Sequence, residues 1–507
     1  MEQPQTDQFR PQGSIDAASV LQPYRGTWSP RLAAHLLRRA GFGGSPADIT
    51  QATSAGMDAA VDRLLHPGPD GLPASPSGDL TYGPMAAPDE RRAAYYSAAS
   101  WWVDRMLQTP NPLVERMTYF WHNHFTSAVQ GGITPALMIG QNQLYRTNAL
   151  GNYADLTHQV ARDPAMLFYL NGNQNRKQHP NENFARELME LFTLGVGNYT
   201  EQDVRESARS FTGWIVPRDG GDARFVRALH DDGDKTFLGQ TGDFDGDDII
   251  NIIMDQPATA QFMATKFLRN FVYDDPEPEL VTATAALFRN AKYDVGSLLA
   301  VLLRSNVFYS DRAYRSLIKS PVDLVVGALR TVGAASSTPR IIAAMGAMNQ
   351  VLLIPPNVAG WPGGPQWLNQ GTLLARLNFL NQLVSFRTPA PTDAGASPAG
   401  AMTPAGAMTA GNGAGAAAAM AMAAMPQMPG PLQWIAGVRE TDPVAVAARV
   451  LDLTVQGDAT DGQRHSVEVF LQTDGVGNPV ELNGENIDEK VRGAMSLAMA
   501  LPAYQLE

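Results

Sequence analysis

The chain has 507 residues, 44% of them hydrophobic and 17% charged, with a formal net charge of −12 and a pI near 5.2. Such a composition is globular and long enough for a large core, while the acidic balance argues against a general nucleic-acid binder and against docking on an anionic membrane surface. With no cysteine, disulfides, thiolate nucleophiles, iron–sulfur clusters and thiolate zinc sites are excluded, and no window holds the roughly 18 apolar residues of a membrane span.

Residues 1–28 are polar and Pro/Gln-rich and read as a flexible arm. They show no charged segment followed by an apolar stretch and no twin arginine, so the chain as it stands reads as cytoplasmic. Ser29-Pro30 opens a helix through Leu36, Leu37 and Ala40, with Pro early, where its missing N–H costs nothing. Gly41 and Gly43 end it. Ser45-Pro46-Ala47-Asp48 starts a second helix, and Gly56 to Leu65 form a third. Residues 67–88 are rich in Pro, Gly and Ser and read as a long loop.

Helices are expected at 89–108, 111–125, 152–162, 181–194 and 200–213. Within 223–240, ARFVRALH and KTFLG flank DDGD and predict a short β-hairpin. Helical patterns resume at 246–254, 257–272, 277–290, 295–304, 319–333, 339–350 and 365–384. Residues 388–430 are Ala, Gly, Met, Pro and Thr with almost no charge; they cannot bury enough side chain to offset their ordering entropy, so the insert is expected to be disordered. Its six methionines between Met402 and Met428 are soft donors of the kind Cu(I) accepts, although a biased floppy insert is the plainer reading. Two more helices follow, at 443–453 and 485–499. The expected fold is mainly α: a multi-helical single large domain over 29–387, with a small β-hairpin and a disordered insert. Residues 431–507 form a C-terminal helical segment packing back on it.

Three places carry chemistry. In Trp121-His122-Asn123-His124-Phe125, residues two apart on a helix point roughly 200° away from each other, so His122 and His124 share a metal only if the helix frays there. The plainer alternative is one buried and one exposed histidine. On the 181–194 helix, Phe184, Leu188, Leu191 and Phe192 form the apolar stripe. Glu187 falls beside its edge, Glu190 further round and Glu182 on the far side. A half-buried carboxylate is a base, a metal ligand or half of an ion pair; Glu187 is the first candidate general base and Glu190 the second, with Arg186 and Lys177 as structural partners. Gly195 and Gly197 read as a helix-ending turn, Thr200 with Asp203 as a capping box, and Glu206 with Arg209 as a pair. His230 and Asp231, at the expected hairpin tip, complete the candidate metal ligands, although Asp and Gly are also ordinary turn formers.

Asp243-Phe244-Asp245-Gly246-Asp247-Asp248 departs from a calcium loop, because its glycine is misplaced and its twelfth position is Met254; a helix N-cap from Asp245 or Asp247 is the better reading. The loop Asn357-Val-Ala-Gly-Trp-Pro-Gly-Gly lines a pocket or plugs the core. The sequence carries no phosphate loop, no Gly-x-Ser-x-Gly elbow and no His-Glu-x-x-His.

HLLRRAGFGGSPADI (35–49), ERMTYFWHNHF (115–125), NENFARELMELFTLGVGNYTEQDVRESARSFTGW (181–214), HDDGDKTFLGQTGDFDGDDII (230–250), KSPVDLVVGALR (319–330), PPNVAGWPGGPQWL (355–368) and the closing LPAYQLE resemble the bacterial family catalogued as domain of unknown function 1800. The resemblance implies a largely helical protein with no assigned activity. It also implies export, against the missing signal segment, and a partner of the domain of unknown function 1501 family, which is similar to the phosphatase/sulfatase class. Two functions are therefore in play. One is a metal-assisted hydrolase or oxidoreductase in which a divalent ion on His122, His124, His230 and Asp231 works with Glu187 or Glu190. The other is a non-catalytic partner or scaffold for a co-expressed protein.

Overall fold

The computed structural model describes residues 16–83, 85–217, 221–385 and 425–507. The chain is mainly helical. In order its helices are α1 (Ala17–Val20), α2 (Pro30–Arg39), α3 (Pro46–Ala55), α4 (Met57–Leu65), α5 (Pro88–Gln108), α6 (Pro112–His124), α7 (Pro135–Thr147), α8 (Tyr153–Val160), α9 (Pro164–Tyr169), α10 (Asn183–Glu187) and α11 (Glu201–Ser210). Two small antiparallel pairs follow, β1 (Trp214–Ile215) with β2 (Arg224–Phe225), and β3 (Lys235–Phe237) with β4 (Gln240–Gly242). Then come α12 (Gly246–Asp255), α13 (Pro257–Phe271), α14 (Pro278–Asn290), α15 (Val295–Leu302), α16 (Pro321–Val332), α17 (Pro339–Ala347) and α18 (Gln370–Ser385). The last four are α19 (Pro431–Trp434), α20 (Pro443–Val455), α21 (Asp461–Gln472) and α22 (Ile487–Met499).

Local chemistry starts many of these helices. Ser29, Ser45 and Ser320 each cap a helix whose first residue is proline. Ser45 with Asp48, Thr200 with Asp203, Asp245 with Asp248, and Ser320 with Asp323 form reciprocal capping boxes. Gly195 and Gly197 take φ of 78° and 90°, closing the turn before α11.

The buried apolar residues form two clusters. One packs Trp121, Phe125, Tyr153, Phe192 and Phe267 among α6, α8 and α13. The other packs Trp102, Trp361, Leu329 and Leu380 with residues of α20 to α22, such as Val450 and Met495. Helix α6 stands between them: Phe120 belongs to the first cluster and its neighbour Tyr119 to the second. The end of the chain returns to the middle. Lys319 N donates to Gln505 O at 2.9 Å, and Glu507 N donates to Leu317 O at 2.9 Å.

Several elements differ from expectation. ARFVRALH and KTFLG do not pair with each other; Arg224 and Phe225 pair back to β1, while Lys235–Phe237 turns on Leu238-Gly239 into β4. The expected 181–194 helix is α-helical only to Glu187 and widens into a π turn over Leu188–Thr193. There Leu194 N reaches the carbonyl of Met189, five residues back. The expected 365–384 helix splits into a 3₁₀ turn at Gly364–Trp367 and α18. Helices α7, α9 and α21 were not anticipated. The end of the expected N-terminal arm is packed: Leu21 is buried, and Pro23 bridges Ser305. Positions 388–424 of the expected disordered insert lie outside the described residues, whereas Met425 just beyond is buried.

Glu115 is 1% exposed and is held by Trp102 Nε1 (3.2 Å), Arg105 Nε (3.3 Å) and Arg146 Nε (2.5 Å), which joins α5, α6 and α7. Truncating one partner of a buried charge network leaves the others uncompensated. Glu115→Ala is expected to remove about 3–5 kcal/mol of stability, read by guanidinium denaturation; a loss below about 1 kcal/mol would show that the network behaves as a surface pair.

Candidate functional site

The residues singled out in the sequence do not gather in one place. Helix α6 runs unbroken through His124, so His122 and His124 face different surroundings. His122 sits against the rings of Trp102 (5.2 Å) and Trp361 (5.6 Å), and its Nε2 has no hydrogen-bond partner. Burial lowers its pKa to about 3, so the ring is neutral. His124 lies among Phe120, Phe125, Tyr153 and Phe192. Burial, and then the nearby Lys266 charge, hold it well below the usual histidine range, against a weak opposing interaction with the Phe192 main chain. No hydrogen bond of normal geometry reaches either of its ring nitrogens. Both histidines are buried, which departs from the expectation of one buried and one exposed.

His230 is buried and bonded through Nδ1 to the Thr212 carbonyl (2.9 Å). Asp231 is gripped by Arg209 through Nε (2.7 Å) and Nη2 (3.1 Å), which lowers its pKa. Arg209 also holds Glu206 at 2.8 Å, as its spacing suggested. These contacts tie α11 to the segment before β3. Glu190 accepts from Tyr199 Oη at 2.9 Å. Glu187 is half-buried; desolvation, then Glu190, raise its pKa, while Arg186 lowers it. Arg186 itself is occupied by Glu182 (3.0 Å) and Glu201 (2.8 Å). Among the described residues, no three His, Asp or Glu side chains come together in a way that could hold a metal ion.

A sizeable cavity among the described residues takes in His124 but none of the other candidates. It is a cleft of about 350 Å³ between α6, α13, the start of α16, the 359–367 loop and Glu507. From α6 it takes Arg116, Tyr119, Phe120, Asn123 and His124, at spacings of 3, 4, 7 and 8, which is one helix face. From α13 it takes Lys266, Arg269 and Asn270, again one face. Trp361 and Trp367 close the far wall. Ser320, Asp323, Asp274 and Glu507 complete the polar lining.

The floor is a buried ion network. Arg116 pairs with Asp323 and, at 2.8 Å, with Glu507. Burial alone would lower the arginine pKa, but the two carboxylates outweigh it and the net shift is upward. Asp323 Oδ2 meanwhile serves the Ser320 cap. Beneath, Arg39 donates to main-chain oxygens of Phe271, Val272, Ala313 and Glu507 at 2.6–3.0 Å. Arg116, Asp323 and Glu507 are thus paired with one another, while the Nε atoms of Arg39 and Arg116 are buried without a partner.

The α13 wall is held differently. Lys266 Nζ donates to the Leu191 carbonyl (3.3 Å), and Arg269 Nε to the Asp274 main-chain oxygen (3.0 Å). Among the described residues neither has a carboxylate within ion-pair distance. Burial, reinforced by Arg269, lowers the Lys266 pKa to about 8. Asn270 Nδ2 is buried without a partner. The wall therefore offers spare donors and positive charge to whatever enters.

The loop that closes the cleft depends on one glycine. Gly360 has φ +82° and lies so close to Asn123 that a Cβ would overlap its main-chain and amide oxygens. The contact lets Trp361 N donate to Asn123 Oδ1 at 2.7 Å, which seats the tryptophan. The sequence reading missed Arg116, Lys266, Arg269, Asn270, Asp323 and Glu507. One signal was present: four of the segments that carry the family resemblance, around 115–125, 319–324, 355–368 and 501–507, each contribute lining residues. The acid-rich 181–194 run contributes none.

Gly360→Ala is expected to cost at least about 1 kcal/mol and to shift tryptophan emission as Trp361 leaves its seat; an unchanged spectrum and melting temperature would rule out the close approach. The buried histidines set an acid limit. His122 binds no proton in the folded chain above about pH 3 but binds one near 6.5 when unfolded, so the unfolded state gains protons as pH falls and stability drops. The stability difference between the native chain and His122→Phe should change by about 1.4 kcal/mol per pH unit below 6.5, measured by urea denaturation at pH 7, 6 and 5. A flat difference would mean that His122 is charged or exposed.

No curated protein and no solved structure matches this chain. The family model described as "Protein of unknown function (DUF1800)" matches residues 35–506. No helix of the described residues is long and apolar enough to cross a membrane. Covering nearly the whole sequence, the match shows that the chain belongs to the DUF1800 family.

Proposed function

We propose that the cleft between α6 and α13 is the functional site and that it binds a small organic anion. The observation that carries this reading is the α13 wall: Lys266 and Arg269 stand one turn apart on the lining of a cavity of about 350 Å³, and among the described residues neither forms an ion pair with Asp274, Asp323 or Glu507, which share that lining. Unpaired positive charge in a partly desolvated site favours an anion over water. Asn270 adds a donor without a partner, and Trp361 and Trp367 supply apolar walls that orient a carbon skeleton. The volume falls at the lower end of small-molecule sites, roughly 300–1,000 Å³. This reading moves the site from Glu187, Glu190, His230 and Asp231 and keeps His124. Lys266 and Arg269 take the charge-neutralising part that a divalent ion would play in a His/carboxylate scheme.

Tryptophan fluorescence reports binding directly, because two tryptophans line the cleft. A panel of pyruvate, citrate, phosphate and sulfate is expected to include at least one saturating anion. Lys266→Met should weaken it by roughly 10–100-fold, the worth of one charge-assisted hydrogen bond. Affinity should fall as pH rises through about 8, where Lys266 loses its proton. If no anion binds, or if Lys266→Met binds as well as the native chain, the cleft is not an anion site. Stable co-purification with a protein of the domain of unknown function 1501 family, untouched by Lys266→Met, would then favour the scaffold alternative.

A further inference from the structure

We infer that Lys266 is a nucleophile toward a carbonyl ligand, and that the anion class the cleft takes is a 2-oxo acid. This rests on the cleft reading above and deepens it. A lysine that only anchored an anion would gain from a partner that kept it charged. Lys266 is largely desolvated and has the guanidinium of Arg269 one turn along the same helix, which outweigh the ring face of Phe262 at 5.0 Å and the Leu191 carbonyl, the two contacts that favour its charged form. Desolvation and a neighbouring cation are the two devices that free a lysine amine for attack on a carbonyl.

The groups around Lys266 are few and identifiable. Facing it across the cleft are Arg116, Tyr119 and His124 from α6, Asp323 from α16, Glu507, and, beside it, Arg269 and Asp274. Arg116, Asp323 and Glu507 are committed to one another. Tyr119 Oη is engaged by Ser320 and Gln350. His124 remains as the proton carrier. It is neutral, it lines the same cavity, and its ring nitrogens lack normal hydrogen bonds.

A 2-oxo acid matches this arrangement because its carbonyl and carboxylate sit on adjacent carbons. Arg269 takes the carboxylate while Lys266 meets the carbonyl. The unprotonated amine attacks the carbonyl carbon, and the C=O π pair moves to oxygen. His124 accepts the proton shed by nitrogen and returns it to that oxygen, which gives a neutral carbinolamine. The nitrogen lone pair then expels the hydroxyl, which takes a proton from the neutral His124 ring and leaves as water; the iminium nitrogen formed returns its own proton to His124, and a neutral imine results. The net change is amine plus ketone to imine plus water, with no oxidant or reductant.

The test uses the full chain with pyruvate or glyoxylate as probe and sodium cyanoborohydride as hydride donor, read by intact mass and peptide mapping. The expected result is one adduct, of the mass of the probe less one oxygen, on the peptide containing Lys266. Labelling there should be at least tenfold faster than on any other lysine. Lys319 is the internal control. Its pKa is lowered further, to about 7, first by burial and then by Arg315 and Arg38, but it is buried outside the cleft. Labelling of Lys319 first would mean that amine basicity alone decides, and would overturn the proposal. Trapping should rise with pH through about 8 while fluorescence binding falls. Lys266→Arg, which keeps a cation but has no nucleophilic amine, should lose the adduct altogether. Binding of the probe with no adduct at Lys266 refutes the nucleophile but leaves the anion site standing. Absence of both binding and adduct refutes the two together.

Discussion

Two adjacent residues on α6, Glu115 and Arg116, hold this structure together. Consecutive positions on a helix point about 100° apart, and here each enters a different buried ion network. Glu115 is met by Arg105, Arg146 and Trp102 from the flanking helices. Arg116 is met by Asp323 and Glu507 from the distant half of the chain. Charges removed from water cost several kcal/mol each unless fully paired. The two networks are tolerable only when α5, α7, α16 and the 501–507 segment are all in place. That requirement pins α6 between the two hydrophobic clusters and sets the direction of the face it presents.

The cleft follows from that placement. Once Arg116 is anchored, Tyr119, Phe120, Asn123 and His124 must open on the same side, one and two turns further on. Asn123 then receives the Gly360-Trp361 loop, and Glu507 seals the floor over Arg39. Helix α13 supplies the opposite wall, where Lys266 and Arg269 donate to main-chain oxygens without an ion pair and Asn270 Nδ2 has no partner. Lys266 therefore carries the proposed chemistry, because it lines this cleft and the more deeply buried Lys319 does not.

Local signals in the sequence were largely legible. Ser-Pro starts, capping boxes and the Gly195–Gly197 turn act within a few residues, so helix positions along most of the chain could be read to within a residue or two. Three features escaped for physical reasons. The π turn at Leu188–Thr193 inserts an extra residue per turn, so angular arithmetic on Glu187 and Glu190 has no fixed frame. The 223–240 segment has strand-like residues, but its pairing partners lie on either side of it. The His122/His124 motif has the chemistry of a ligand pair, yet it sits on an unbroken helix that turns the rings apart.

By itself the sequence determined the helical class, the starts and stops of most helices, and membership of the DUF1800 family. It also supplied the segments from which the cleft is built. Only the tertiary structure decided which polar residues share a cavity, because the deciding pairs are remote. Arg116 finds Asp323 across 207 positions and Glu507 across 391. Density of acids along the chain pointed to 181–194, but charge that is solvated or paired nearby does no work at a distance. The proposed site rests instead on Lys266 and Arg269, which line one cavity without an ion pair, and that becomes visible only when all their neighbours are known.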